Sequence, residues 1–256
     1  MSARPAAAGA GAPVVLGLDT AGPGCGVAVL AHGRTLARDH RVMARGHAEA
    51  LVGMIDDAVA AAGIAYDDLG LIAVTTGPGA FTGLRIGLAT AGGLALATGI
   101  GIVGVSTLDA HAAMAAARLA ANAEAEPASR PGESPCRLLA VVDSRRAEIF
   151  GAFYRLDGLG GVRSEDAPFC RSPEAIAADL PAGPLVLCGD AADVVAASIG
   201  ARPGLIVLAA SAGADPETVA RLGAARAAEA RPDPPPPVYL RAPDARPAPA
   251  ARAILP

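Results

Sequence analysis

The sequence predicts an α/β protein in which mixed sheets are covered by helices. Three observations carry this expectation. Apolar runs of strand length end on glycine turns, as VVLGLD at 14–19 does before the turn at 20–24. Between such runs lie longer segments with apolar residues every three or four positions, the spacing of a helix with one buried face. The units follow the order strand, strand, strand, helix, strand, helix, strand, and the second half of the chain partly echoes the first.

Residues 1–12 form an alanine, glycine and proline leader with the composition of a disordered segment. Strands at 14–19, 26–31 and 34–43 make a meander, with His32-Gly33 as a tight turn. Residues 46–62 read as a helix because Leu51, Ile55 and Val59 recur at every fourth position, with Asp56 and Asp57 on the solvated side and Gly63 as the stop. The next strand, 69–76, enters Gly77-Pro78-Gly79, and a helix at 81–97 follows. Gly83, Gly87 and Ala91 lie on one stripe of that helix. A helical glycine costs about 1 kcal/mol relative to alanine, so two on one stripe require a close backbone neighbour. The glycine turn has two readings: a phosphate cradle, where free N–H groups and the helix dipole meet an anion, or a packing surface. A strand at 102–105 and a helix from the cap Ser106 to about 120 complete this half.

The second half opens on a polar, proline-bearing loop at 122–135. Strands at 137–143 and 148–155 follow, with a third within 162–169. Ser172-Pro173 opens a helix to about 180, since proline suits the first helical position. A short strand at 184–188 precedes Gly189-Asp190, another helix and strand reach 208, and residues 211–230 read as a helix with Pro216 and Glu217 in its first turn. The prolines of 232–237 force an extended path, 238–241 is a short ordered anchor, and the rest is a flexible tail.

Composition removes several classes of function. A net charge of −4 with no basic cluster argues against direct, strong nucleic-acid binding. The apolar stretch 86–105 has the length of a membrane span, but glycines and threonines interrupt it. The first residues lack the continuous apolar core of a secretory signal, so a cytoplasmic location is expected. All 21 basic residues are arginine, which excludes a P-loop lysine and a Schiff-base lysine. Cys25, Cys136, Cys170 and Cys188 are far apart and read as buried free thiols. His32, His40, His47 and His111 form no HxxH, HxxxH or HExxH pair, so no metal site is expected.

Two charged positions stand out. Asp19, at a strand end before a glycine turn, could position a metal–phosphate group or a water, with Gly189-Asp190 as a facing counterpart; alternatively it caps its own turn. Asp143-Ser144-Arg145-Arg146 with Glu148 suits paired carboxylates, an arginine anion site, or a hairpin with one structural ion pair. The helices 46–62 and 81–97 either pack on each other or present a joint surface to a partner.

The run GPGAFTGLRIGLATAGGLALATGIGIVGVSTLDA at 77–110 resembles the signature of the bacterial TsaB (YeaZ-type) family. So do Leu18-Asp19-Thr20-Ala21, the helix carrying His47, Asp143-Ser144-Arg145 with Glu148, and Pro237-Val238-Tyr239-Leu240-Arg241, in family order across 14–241. The resemblance implies a two-lobed fold of the actin/Hsp70/sugar-kinase type. Its first lobe would comprise 13–107 plus the helix at 211–231, its second lobe 108–210, and 232–256 would be a proline-rich tail. The implied role is a non-catalytic scaffold that binds and activates TsaD, the paralogue that installs threonylcarbamoyl on N6 of adenosine next to the anticodon of tRNAs. A TsaE-like ATPase would join, tRNA would be met through the complex, and a homodimer would form when the partner is absent. The resemblance places Leu51, Ile55, Val59, Phe81, Gly83, Leu84 and Gly87 at the partner interface, and Asp19, Thr20, Gly77, Gly79 and Asp143 in a vestigial nucleotide cleft. It implies no cofactor and no metal: the related enzyme uses an HxxxH pair, whereas His47 stands four residues after Met43, and Pro23 interrupts the first phosphate turn. The alternative is an ATP-dependent phosphotransferase of the same fold, in which Asp19, Asp143 and Asp190 converge on a metal–nucleotide pocket.

Overall fold

Strand β1 (Val15–Asp19) seeds the first sheet. It pairs antiparallel with β2 (Gly24–Ala31), which pairs antiparallel with β3 (Arg34–Val42). On its other side β1 pairs parallel with β4 (Leu71–Gly77), and β4 pairs parallel with β5 (Gly101–Ser106), giving the order β3-β2-β1-β4-β5. This is a computed structural model, and it describes residues 12–125, 137–156, 161–210 and 212–241. The leader to residue 11, most of the 122–135 loop, Cys136 and the tail beyond 241 lie outside the described residues.

Alternation along the central strands separates the two faces of this sheet. Leu16, Leu18, Ile72 and Val74 face a core shared with α1 (His47–Ala61) and α2 (Phe81–Thr98). Val15, Leu71 and Ala73 face the opposite core, which contains Val219 and Ala220 of α6 (Pro216–Ala225). A Cβ at Gly17 would overlap the Pro216 carbonyl oxygen, so α6 sits directly on β1. This helix is shorter than the expected 211–230. Asp215 caps its start by accepting the Glu217 N–H at 3.2 Å, and a separate 3-10 turn follows at 227–229.

The second sheet repeats the plan. Strands β6 (Arg137–Asp143) and β7 (Ile149–Leu156) are antiparallel, while β10 (Leu185–Gly189) and β11 (Leu205–Ala209) continue parallel from β6. The third strand expected within 162–169 is two pieces, β8 (Val162–Ser164) and β9 (Phe169–Arg171), both pairing with β7. Pro168, which has no N–H to give a ladder, lies in the break between them. Helix α3 (Thr107–Ala125) covers one face, with Leu108 and Ala112 packed on Leu138 and Val142. Helices α4 (Pro173–Ala178) and α5 (Ala192–Ile199) cover the other through Ile176 and Val195.

Each sheet therefore has a meander on one side of its first strand and two parallel strands on the other. That duplicated plan is the two-lobed arrangement of the actin/Hsp70/sugar-kinase type. The chain passes from the first sheet to the second through α3, and returns through 210–215 to α6. Among the described residues, no helix is long and apolar enough to cross a membrane.

Candidate functional site

The ends of β1 and β10 meet where the lobes face each other. Asp19 is fully buried; its Oδ1 accepts the Ala21 N–H at 3.1 Å and the Thr75 hydroxyl at 2.8 Å, while Oδ2 is buried with no hydrogen-bond partner. Burial, helped to a lesser extent by the charge of Asp190, pushes the Asp19 carboxyl up to about 7. Asp190 is pushed up to about 6, chiefly by burial, although its Oδ1 accepts the Asp143 N–H at 2.8 Å. Asp143 itself caps the next turn, its Oδ1 accepting the Arg145 N–H at 2.7 Å. Asp190 thus lies within reach of both the Asp19 carboxyl and the Asp143 backbone.

That junction is closed rather than open. A Cβ at Gly22 would lie 3.2 Å from Gly213 Cα and 3.5 Å from Asp190 Oδ2, and one at Gly213 would lie 3.5 Å from Asp19 Oδ2. The neighbouring cavity, bordered by His111, Met114, Cys188 and Gly189, holds about 80 Å³. Ligand pockets run from about 300 Å³ upward, so this space suits a few waters. His111 is fully buried there with both ring nitrogens unpartnered, and burial holds its imidazole down to about 4, hence neutral at physiological pH. A larger hollow of about 500 Å³ lies elsewhere, between β5 and residues 226–236. Among the described residues, no group of three His, Cys, Asp or Glu side chains could hold a metal ion.

The glycine turn lies against the turn after β1. Ala80 N–H donates to the Ala21 carbonyl at 2.7 Å, and Thr20 Oγ donates to the Gly83 carbonyl at 2.7 Å. A Cβ at Gly79 would overlap the Ala21 carbonyl oxygen, one at Gly83 the Thr20 carbonyl oxygen, and one at Gly87 would approach the Thr20 hydroxyl at 2.5 Å. A Cβ at Gly77 would likewise lie 2.9 Å from the Val238 carbonyl oxygen. The first turn of α2 is therefore packed against the turn after β1, and the Ala80 N–H is taken by the Ala21 carbonyl.

The helix layer requires a correction at residue level. Leu51, Ile55 and Val59 are buried against the lobe's own sheet, and Leu84, Gly83 and Gly87 are buried on the inner face of α2. The fourth-position stripe of an amphipathic helix is its core face, so these six residues build the lobe and are not available to another chain as they stand. Phe81 is 53% exposed and does face outward. The neighbouring stripe supplies the outer surface: Val52 at 56% and Leu96 at 78% exposure, with Gly53, Ala60, Ala89 and Gly93 also exposed. Nothing lies within 4 Å of the Cβ position at Gly53 or Gly93. The sequence signal that could have found this face is an apolar residue one position past the core stripe, as Val52 is past Leu51.

Comparisons with known proteins agree with this architecture. The family model described as "TsaD: tRNA N6-adenosine threonylcarbamoyltransferase" matches residues 40–184. The tRNA threonylcarbamoyladenosine biosynthesis protein TsaB of Escherichia coli (strain K12) is 32% identical over 162 residues, covering 63% of this chain and 64% of that protein. The tRNA N6-adenosine threonylcarbamoyltransferase of Maricaulis maris (strain MCS10) is 34% identical over 160 residues, 59% of this chain and 38% of its own length. The structure of YeaZ from Pseudomonas aeruginosa superposes with a TM-score of 0.68 at 31% identity, covering 89% of this chain and all of that one. With a full-length structural match above 30% identity and the signature residues in place, the chain belongs to the TsaB (YeaZ-type) family.

Proposed function

We propose that this chain is a non-catalytic subunit that binds a TsaD-like threonylcarbamoyltransferase and holds it active in the modification of N6 of adenosine next to the tRNA anticodon. The observation that carries the reading is the outward face of the α1–α2 layer. Small residues (Gly53, Ala60, Ala89, Gly93) let another helix approach closely, and Val52 and Leu96 supply apolar contact. The close packing of Gly22 and Gly213 beside Asp190 and Asp19 supports the same reading. A second copy of the chain would use this face when the partner is absent. A TsaE-like ATPase would join the assembly, and tRNA would be met through the complex, in the cytoplasm.

The experiment mixes the purified chain with the TsaD-like protein of the same cell and follows complex size by light scattering. Leu96→Asp and Gly93→Leu, both on the outer surface, should keep the fold and weaken the complex. If both variants bind as the unaltered chain does, the interface lies elsewhere. The alternative, an ATP-dependent phosphotransferase, draws on the convergence of Asp19, Asp143 and Asp190. Thermal stabilisation of the isolated chain by magnesium ATP would favour it, and no shift at millimolar nucleotide would count against it.

A further inference from the structure

Residues 231–241 do not behave as a tail. Arg231 adds to the free edge of β5 as a short antiparallel bridge: Ile102 N–H donates to the Arg231 carbonyl at 2.7 Å and Arg231 N–H to the Ile102 carbonyl at 3.0 Å. The following prolines run over glycines that leave room for them, Pro235 over Gly104 and Pro234 over Gly92. Val238 N–H then donates to the Thr76 carbonyl at 2.8 Å. Tyr239 stacks on Phe81 with ring centroids 5.3 Å apart, and the Arg85 guanidinium lies 3.9 Å from the Phe81 ring centre and donates to the Tyr239 hydroxyl at 3.4 Å. Up to this point every contact is with the first sheet and its helices. The next two residues leave it: Leu240 packs on the second sheet's core beside α3, and Arg241 pairs with Glu148, just before β7, at 3.6 Å.

We infer that residues 231–241 form a clasp that sets the angle between the two lobes. The two other crossings, α3 and 210–215, are continuous chain and persist whatever the lobes do. The third is held at its far end by non-covalent contacts alone among the described residues, so it can release. Prolines at 232 and 234–237 restrict the backbone before it docks, which lowers the entropy lost on closing. The clasp passes the start of α2 and the end of β4, so its release frees the lobe junction that closes over Asp19 and Asp190. This assignment does not depend on what binds the outer face of α1 and α2.

The test measures the lobe-to-lobe distance by double electron–electron resonance. Spin labels are placed through Asp57→Cys on α1 and Asp193→Cys on α5, both exposed, with Cys136 and Cys170 replaced by serine. The full chain is compared with one ending at Pro237 and with a full-length Leu240→Asp variant. A single narrow distance in the full chain, shifted to longer and broader distances in either variant that keeps its circular dichroism spectrum, is the expected result. An unchanged distribution in a folded variant would overturn the clasp and leave these residues as a cover for the edge of β5. Should the shortened chain fail to fold, Leu240→Asp decides by itself, since Leu240 is partly exposed.

Discussion

At the residue scale, Asp19 determines how the molecule should respond to pH. Its carboxyl titrates near 7 when folded, against 3.8 for an ordinary aspartate, because burial disfavours its charge. The folded state therefore keeps a proton between about pH 4 and 7 that the unfolded chain has lost. Stability from this group is full below pH 4, declines as pH rises, and is gone above about pH 7, a change of order a few kcal/mol. Asp190, pushed up to about 6, adds a smaller decline of the same sign. Urea midpoints measured from pH 4 to 8 should fall with pH, and Asp19→Asn should flatten most of the slope. An unchanged slope would remove Asp19 as its source. Gly83 gives a second prediction. Leucine there would drive its Cβ into the Thr20 carbonyl, so Gly83→Leu should lower unfolding stability by about 3 kcal/mol or more, read from the urea midpoint. The sequence announced that Gly83 and Gly87 need a close backbone. It could not name Thr20, which lies 63 residues earlier than Gly83, because only folding brings the two turns together.

At the scale of elements, most strands and helices were legible because apolar spacing and glycine turns are local signals. Which helix face meets which neighbour was not. Leu51, Ile55 and Val59 mark a buried stripe in sequence, but burial against one's own sheet and burial against another chain leave the same pattern. The outer stripe of α2 is sparse, with Leu96 among glycine and alanine, and so has no strong periodicity to detect. Leu96→Asp should weaken partner binding by about 2 kcal/mol, roughly thirty-fold in Kd, while leaving the thermal midpoint within a degree or two, because Leu96 is 78% exposed. A titration calorimetry series on the two chains measures the first quantity and a melting curve the second. The strip 232–241 was legible in part: its prolines gave an extended path and 238–241 an ordered anchor, but the glycines that seat it, Gly92 and Gly104, belong to distant elements.

At the scale of the whole molecule, two copies of one sheet plan face each other across buried acidic turns. A cleft of this kind can work on a ligand when the lobes stand apart. Here Asp19, Thr20, Ala21 and Gly22 are buried, Gly213 packs on Gly22, and the adjoining cavity is about 80 Å³. The α1–α2 layer keeps an exposed face at Val52, Gly53, Gly93 and Leu96, the surface proposed to bind a catalytic partner. The repeated plan was visible in sequence as two successions of meander and alternating elements. The closure was not, since it depends on the Asp19 and Asp190 side chains and the Gly213 backbone meeting across the lobes.

The most direct measurement of that assignment reconstitutes threonylcarbamoyl transfer to tRNA with the TsaD-like protein, the TsaE-like ATPase, and this chain added or withheld. Transfer that requires this chain, together with a complex of the two proteins that Leu96→Asp weakens about thirty-fold, is the predicted result. Transfer at the same rate without this chain, and no complex at micromolar concentrations, would contradict the account and return attention to the carboxylates at Asp19 and Asp190.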